Sequence, residues 1–238
     1  MIEIKDLSKS YGSEKVLNRL EFSHVRHQTL SILGESGSGK STLLKIMAGL
    51  EDADDGDIQI NGDSVIHLEP KERGTVYLYQ EPLLFPHLTV KENIGFGLRF
   101  RDTTPVEIKN RSLDLIERLK LTSQMDKYPH QLSGGQKQRV AFGRAVIIHP
   151  SVLLLDEPFA SLDPGTRQEM QLLFSEIAKT EKITSLFVTH DIREALMTGN
   201  RFGMMINGKL KIYESRDAFI EDSATGVKEE IEFWKKLS

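Results

Sequence analysis

The chain has 238 residues, 39% apolar and 28% charged, enough for one large domain with a buried core and ordinary for a globular protein. A formal net charge of -4 gives no electrostatic reason to expect a nucleic-acid partner, and the absence of cysteine excludes disulfides, thiolate metal sites and cysteine nucleophiles. No apolar run approaches the ~20 residues that a membrane-spanning helix needs, and Met1-Ile2-Glu3-Ile4-Lys5-Asp6 lacks the basic start and apolar stretch of a signal peptide. In chain order, Ile2, Ile4 and Leu7 alternate with polar residues as in a half-buried strand. The apolar run 30–33 reads as a buried parallel strand and 40–50 as a helix. Asp57-Ile58-Gln59-Ile60 runs into Asn61-Gly62, a strand entering a tight hairpin. Helical patterns follow at 106–119 and 136–148, a buried strand at 152–155, a helix at 164–179 and a buried strand at 186–188. Asn207-Gly208 then turns a second hairpin between 202–206 and 209–213.

Strands alternating with helices predict an α/β core with a mainly parallel sheet, preceded by an N-terminal antiparallel β-subdomain. From about residue 84 to about 144 helical patterns stand without a convincing strand, which predicts a helical subdomain inserted into one domain spanning 1–238. From about 214 to 238 the chain reads as a helical tail, with Val227, Ile231 and Trp234 on one face. That tail is expected either to dock on the chain's own core or to contact a second subunit.

Gly34-Glu35-Ser36-Gly37-Ser38-Gly39-Lys40-Ser41 has the phosphate-loop spacing, between a predicted strand and a helix that opens on Thr42. Glycines let the backbone curl so that amide hydrogens face phosphate oxygens, and the positive end of the following helix adds to the field. Lys40 is then expected to reach the β and γ phosphates of ATP, and Ser41 to hold magnesium. Val152-Leu153-Leu154-Leu155 ends in Asp156-Glu157, two acids at the carboxyl end of a parallel strand, where such sheets bind ligands. Asp156 is the candidate magnesium ligand and Glu157 the candidate base for an attacking water.

Leu132-Ser133-Gly134-Gly135-Gln136 opens another helix and forms a second anion site by the same backbone logic. A monomer with one ATP has no evident need for it; a head-to-tail dimer has, because each chain's second site would close on the γ-phosphate held by the other's loop. With this signature after the phosphate loop and before the acidic strand, the sequence resembles the ATP-binding cassette family over about residues 2–213. The resemblance implies a cassette with a phosphate-loop core and an ATPase activity with Mg2+. It implies that Tyr11 stacks on adenine with Val16 beside it. Glu35, Ser36, Gly37, Ser38, Gly39 and Thr42 would contact nucleotide. Gln80 would sense magnesium and the attacking water, Asp163 in Ser161-Leu162-Asp163 would cross the dimer interface, and His190 would contact the γ-phosphate. His190 could alternatively cap the helix that follows it. Three positions depart from the family habit: Gly143 replaces alanine, Arg193 an acid and Asn200 an aspartate.

The stretch from Gln80 to Ile94 resembles bacterial importer subunits that serve oxyanions, polyamines, ferric iron or sugars. There it lines a groove for a helix of the membrane subunit, so Leu84, Phe85 and Leu88 are expected either at that groove or in the core. The implied partners are a second cassette (identical or paralogous), transmembrane permease subunits and an extracytoplasmic solute-binding protein, with the chain cytoplasmic at the inner face of the membrane. An exporter subunit is the alternative. A DNA-repair ATPase would need a long coiled coil where only about 90 residues separate Ser41 from Leu132, and ribosome-associated relatives carry two cassettes. Importer relatives often continue into a β-rich regulatory domain.

Overall fold

The computed structural model describes residues 1–237. It opens with β1 (Ile2–Tyr11), β2 (Glu14–His24), β3 (Thr29–Leu33), α1 (Lys40–Ala48), β4 (Asp55–Ile60), β5 (Asp63–Ser64) and β6 (Thr75–Leu78). Three helices follow, α2 (Val90–Gly95), α3 (Pro105–Arg118) and α4 (Gly134–Val146), then β7 (Val152–Asp156), α5 (Pro164–Thr180), β8 (Ser185–Thr189) and α6 (Ile192–Thr198). β9 (Arg201–Ile206), β10 (Lys209–Tyr213), α7 (Arg216–Glu221) and α8 (Val227–Leu237) complete it.

Two sheets share the core. One is antiparallel, in the order β2-β1-β4-β5; the other runs β10-β9-β3-β8-β7-β6 and is parallel except for the β9–β10 hairpin. β3 and β8 are buried along their whole length, which is why they read as unbroken apolar runs rather than alternating ones. Pairing of Leu33 with Thr189 and of Leu155 with Phe187 brings the ends of β3, β8 and β7 to one edge. The phosphate loop, Glu157 and His190 all follow strands that end at that edge.

Two strands escape the sequence reading. β2 has irregular register against β1, and Arg19 sits at φ 46, so its buried Leu17, Leu20, Phe22 and His24 do not keep a clean alternation from end to end. β6 is four residues long and half-buried at the sheet's margin. Its parallel pairing of Leu78 with Leu155 nevertheless sets the segment before Gln80 beside the acidic strand.

Between residues 84 and 144 no strand occurs among the described residues, and α2, α3 and α4 pack through Ile94, Leu115, Ile116, Leu119, Val140 and Phe142. Gly143 departs from alanine for a reason of space. A Cβ there would lie 2.5 Å from Leu119 Cδ1 and 3.3 Å from Ile94 Cδ1, so the glycine lets α4 approach its neighbours. Asn200 is also structural: its Oδ1 accepts a hydrogen bond from the Thr29 amide at 2.8 Å, and its own amide donates to Thr29 O at 2.9 Å.

The tail helix α8 docks on the chain's own core. Val227 is fully buried, and Ile231 and Trp234 pack on the cluster of Leu33, Ile192, Ala195, Phe202, Tyr213 and Phe219. Arg193 completes the contact, its guanidinium 4.0 Å from the centre of the Trp234 ring. Among the described residues no helix is long and apolar enough to cross a membrane.

Candidate functional site

Residues 34–39 join the buried end of β3 to α1, and Gly39 stands in the N-cap position at φ 102. A side chain there would be strained, and its Cβ would fall 2.8 Å from Val16 O, so glycine is what lets β2 press against the loop. Lys40 is 4% exposed. Its ammonium donates to Gly34 O at 2.7 Å and Glu35 O at 2.8 Å, folding the side chain back across the loop. Burial lowers its pKa, while Glu157 and Asp156 oppose that shift.

Ser41 Oγ donates to Asp156 Oδ1 at 2.8 Å, and Tyr77 Oη donates to Asp156 Oδ2 at 2.5 Å. Tyr77 was not legible as a site residue because its strand, β6, was not. Burial and then the Asp156 hydrogen bond raise the phenol's pKa, which keeps it a donor. The acid strand ends one residue before Glu157, whose φ of 44 lies in the left-handed region. Such backbone in a residue other than glycine costs about 1–2 kcal/mol and re-aims the side chain. The Glu157 carboxylate Oε2 accepts a hydrogen bond from His190 Nδ1 at 2.8 Å. His190 does not cap the next helix: Asp191 does, its Oδ1 accepting from the Glu194 amide at 3.1 Å.

A cavity of about 400 Å³ is lined by Tyr11, Val16, Ser36, Gly37, Gly39, Lys40, Ser41, Thr42 and Glu157. The fold therefore gathers most of the residues singled out around the phosphate loop into one concavity. Tyr11 is 47% exposed, with its hydroxyl bonded to Glu51 and Lys9 Nζ 5.5 Å from its ring centre. Glu35 is exposed and Ser38 half-buried; both line a neighbouring cavity of about 550 Å³ rather than this one. Gln80 lies two residues beyond β6, exposed, and is not among the cavity's lining residues.

The signature lies apart from that cavity. Ser133 caps α4 in a reciprocal pair with Gln136: Ser133 Oγ accepts from the Gln136 amide at 3.3 Å, and Gln136 Oε1 accepts from the Ser133 amide at 3.0 Å. Ser133 and Gly134 are exposed, Gly135 is buried, and none of them lines the nucleotide-loop cavity. Asp163 caps α5, its Oδ1 accepting from the Thr166 amide at 3.1 Å; hydrogen bonds from Thr166 also lower its pKa. A helix N-terminus with Ser133 and Gly134 exposed thus stands outside the chain's own phosphate-loop cavity.

The groove expectation divides. Leu84 packs on the helical core, contrary to its placement at a groove, while Leu83 is 57% and Phe100 76% exposed. Phe85 is half-buried between Phe96, 4.3 Å away centre to centre, and the Arg144 guanidinium, 4.9 Å from its ring. Arg144 also donates to Leu83 O, and Asn93 holds the turn through bonds with Phe85 N and O and Leu88 O.

Comparison with known proteins agrees with this geometry. The ABC transporter family pattern matches residues 17–160. The chain is 39% identical over 224 residues to a sulfate/thiosulfate import ATP-binding protein of Synechocystis, aligning 94% of this chain with 63% of that one. It is 41% identical over 224 residues to a spermidine/putrescine import ATP-binding protein of Legionella pneumophila, covering 94% and 62%. The chain thus spans less than two thirds of the length of these curated relatives. A dimeric ATP-binding cassette, MJ0796, solved in a post-hydrolysis state with ADP and Pi, superposes with a TM-score of 0.78 at 29% identity, over 90% of this chain and 100% of that one. With the phosphate loop, the acidic strand and the signature in place, the chain belongs to the ABC transporter family.

Proposed function

We propose that the chain binds and hydrolyses ATP, dimerises head to tail around it, and powers solute import through membrane-embedded permease subunits. The observation that carries this is the convergence of Lys40, Ser41 and Glu157 on one cavity, with Asp156 and His190 bonded to its walls. The loop's amides and Lys40 hold the phosphates, and Tyr11 with Val16 meets the base. Glu157, its far carboxylate edge oriented by His190 Nδ1, takes the proton of the attacking water. The other ring nitrogen, Nε2, is proposed to face the γ-phosphate.

Ser41 and Asp156 fit magnesium as a pair of hard oxygen ligands. Ser41 Oγ and Asp156 Oδ1 lie 2.8 Å apart, hard oxygens of the kind magnesium takes together with phosphate oxygens and water. When held there by Ser41 and Asp156, magnesium would supply positive charge that offsets the charge of the phosphates. Gln80 is proposed to join this group when nucleotide is present. Gly134 and Gly135 are proposed to meet the γ-phosphate of a second cassette, with Asp163 crossing the same interface. Leu83, Phe85, Phe96 and Phe100 are proposed to receive the permease helix, which places the chain at the cytoplasmic face, in a system that includes a solute-binding protein. Relatives of nearly equal identity are named for an anion and for a polycation. Solute choice therefore rests with those other chains.

Equilibrium binding of a fluorescent ATP analogue, sedimentation and phosphate release test the proposal together. Lys40→Ala is expected to lose binding. Ser133→Arg is expected to bind ATP as a monomer but neither dimerise nor turn over. A normal ATP-dependent dimer from Ser133→Arg would overturn the head-to-tail site.

A further inference from the structure

Glu194, in the first turn of α6, is 3% exposed and carries a carboxylate with no basic partner in hydrogen-bond contact. Burying such a group is costly unless its oxygens are satisfied, and an apolar residue of similar volume would serve packing alone as well or better. One carboxylate oxygen and the backbone amide bond the loop that holds His190. Oε2 accepts from Thr189 Oγ1 at 2.5 Å, and that hydroxyl in turn accepts from the Asp191 amide at 3.0 Å. The backbone N of Glu194 donates to Asp191 Oδ1 at 3.1 Å. Both neighbours of His190 are therefore tied to one carboxylate and its own backbone, while the imidazole between them is exposed.

The other carboxylate oxygen faces α5. Oε1 accepts from Gln171 Nε2 at 3.3 Å. One turn earlier on the same helix, Arg167 donates to Phe159 O and Ala160 O at 3.2 Å and to Leu162 O at 2.8 Å, gripping the segment that leaves Glu157. Residues four apart lie on one face of a helix. One face of α5 thus anchors the chain after Glu157 through Arg167, and the loop bearing His190 through Gln171 and Glu194.

Resting on the hydrolysis proposed above, we infer that Glu194 is a positioning residue, which with Gln171 on α5 fixes His190 against the Glu157 carboxylate. The 2.8 Å contact between His190 and Glu157 joins two loops that leave neighbouring strands paired up to Asp156 and Val188, with the Glu157 amide donating to Val188 O at 3.1 Å. That register sets the height of the two backbones, and the shared side-chain anchor on α5 holds the loops beyond it. The anchor helix begins at Asp163, so movement of that loop against a second cassette would reach both catalytic groups through a single rigid element.

The test uses Glu194→Leu and Glu194→Gln in the full chain, with Thr189→Val as a second disruption in case the leucine variant does not fold. Glutamine keeps an acceptor oxygen for Thr189. The readout that does not depend on activity is the 15N spectrum of the His190 imidazole in nucleotide-free protein. Glu157→Ala supplies the reference for an unpaired ring. In Glu194→Leu and Thr189→Val the signals are expected to move to those reference positions, and in Glu194→Gln to stay at the wild-type ones. The same two disruptions should lower kcat about 10²-fold, the scale of a ~1 Å misplacement, with ATP affinity unchanged, and Glu194→Gln should restore most of it. His190 signals unmoved in Glu194→Leu and Thr189→Val would overturn the inference, whatever happens to turnover. A wild-type chain that does not hydrolyse ATP would sink the functional proposal instead, and the imidazole spectrum would still decide this one.

Discussion

At Glu157 three local facts coincide: left-handed backbone, a position one residue past Asp156, the proposed magnesium ligand, and a hydrogen bond from His190. Only the second was written in the sequence, as Asp156-Glu157 after an apolar run. Backbone handedness in a residue other than glycine leaves no trace in side-chain pattern, and the His190 contact joins positions 33 residues apart. Glu157→Gln is expected to retain ATP binding and lower turnover about 10²–10⁴-fold, the usual range for loss of a general base. It should also accumulate a nucleotide-bound dimer in sedimentation, and hydrolysis near the wild-type rate would remove Glu157 from the role. Gly143 is the opposite case, a residue conspicuous in the sequence only because a glycine in a helix costs ~1 kcal/mol relative to alanine. Since its missing Cβ would meet Leu119 at 2.5 Å, Gly143→Ala should be destabilising despite the better helix propensity. Overpacking costs about 1–3 kcal/mol, so a net loss of about 1 kcal/mol in urea denaturation is expected. A gain would show that fully buried Leu119 has room to move aside.

Among the elements, the long periodic ones were legible. The pattern over 164–179 became Pro164–Thr180, and that over 106–119 became Pro105–Arg118. The structure caps their starts with side chains: Asp163 before Pro164, and Thr104 paired with Glu107 at the start of α3. Short β6 and irregular β2 were not legible, and Tyr77 was lost with the former. The apolar face of α8 was legible, but its docking partner was not, because the seat is assembled from β3, α6, β9, β10 and α7. Removal of residues 226–238 uncovers that seat. Loss of buried Val227 and half-buried Ile231 and Trp234 should lower stability by about 3 kcal/mol, read as a lower midpoint in denaturant. Hydrolysis should persist in the folded fraction, since every residue proposed to meet nucleotide lies earlier in the chain. In the intact protein Trp234 emission should be blue-shifted and independent of protein concentration; concentration-dependent emission without ATP would place the helix at a subunit contact instead.

For the molecule as a whole, acid stability is predicted to turn on a residue far from the chemistry. His24, fully buried at the end of β2, has its pKa lowered from 6.5 to about 4, first by burial, and its Nε2–H donates to Gln28 O at 2.9 Å. The unfolded chain therefore binds this proton at a higher pH than the folded one. The stabilising difference is complete above about pH 6.5 and is lost as pH falls toward 4, by about 3 kcal/mol in total at 1.36 kcal/mol per pKa unit. His24→Leu should flatten the stability profile between pH 6.5 and 4 while costing ~1 kcal/mol at neutral pH for the lost hydrogen bond. An unchanged slope would mean that carboxylates alone govern acid unfolding. The phosphate loop presents another whole-molecule property. Its lysine bonds the carbonyls of Gly34 and Glu35, so the loop is closed on itself by its own cation. On the role proposed for Lys40, arrival of a triphosphate is an exchange reaction, in which the ammonium trades two peptide oxygens for phosphate oxygens and the loop keeps the curvature its own cation gave it.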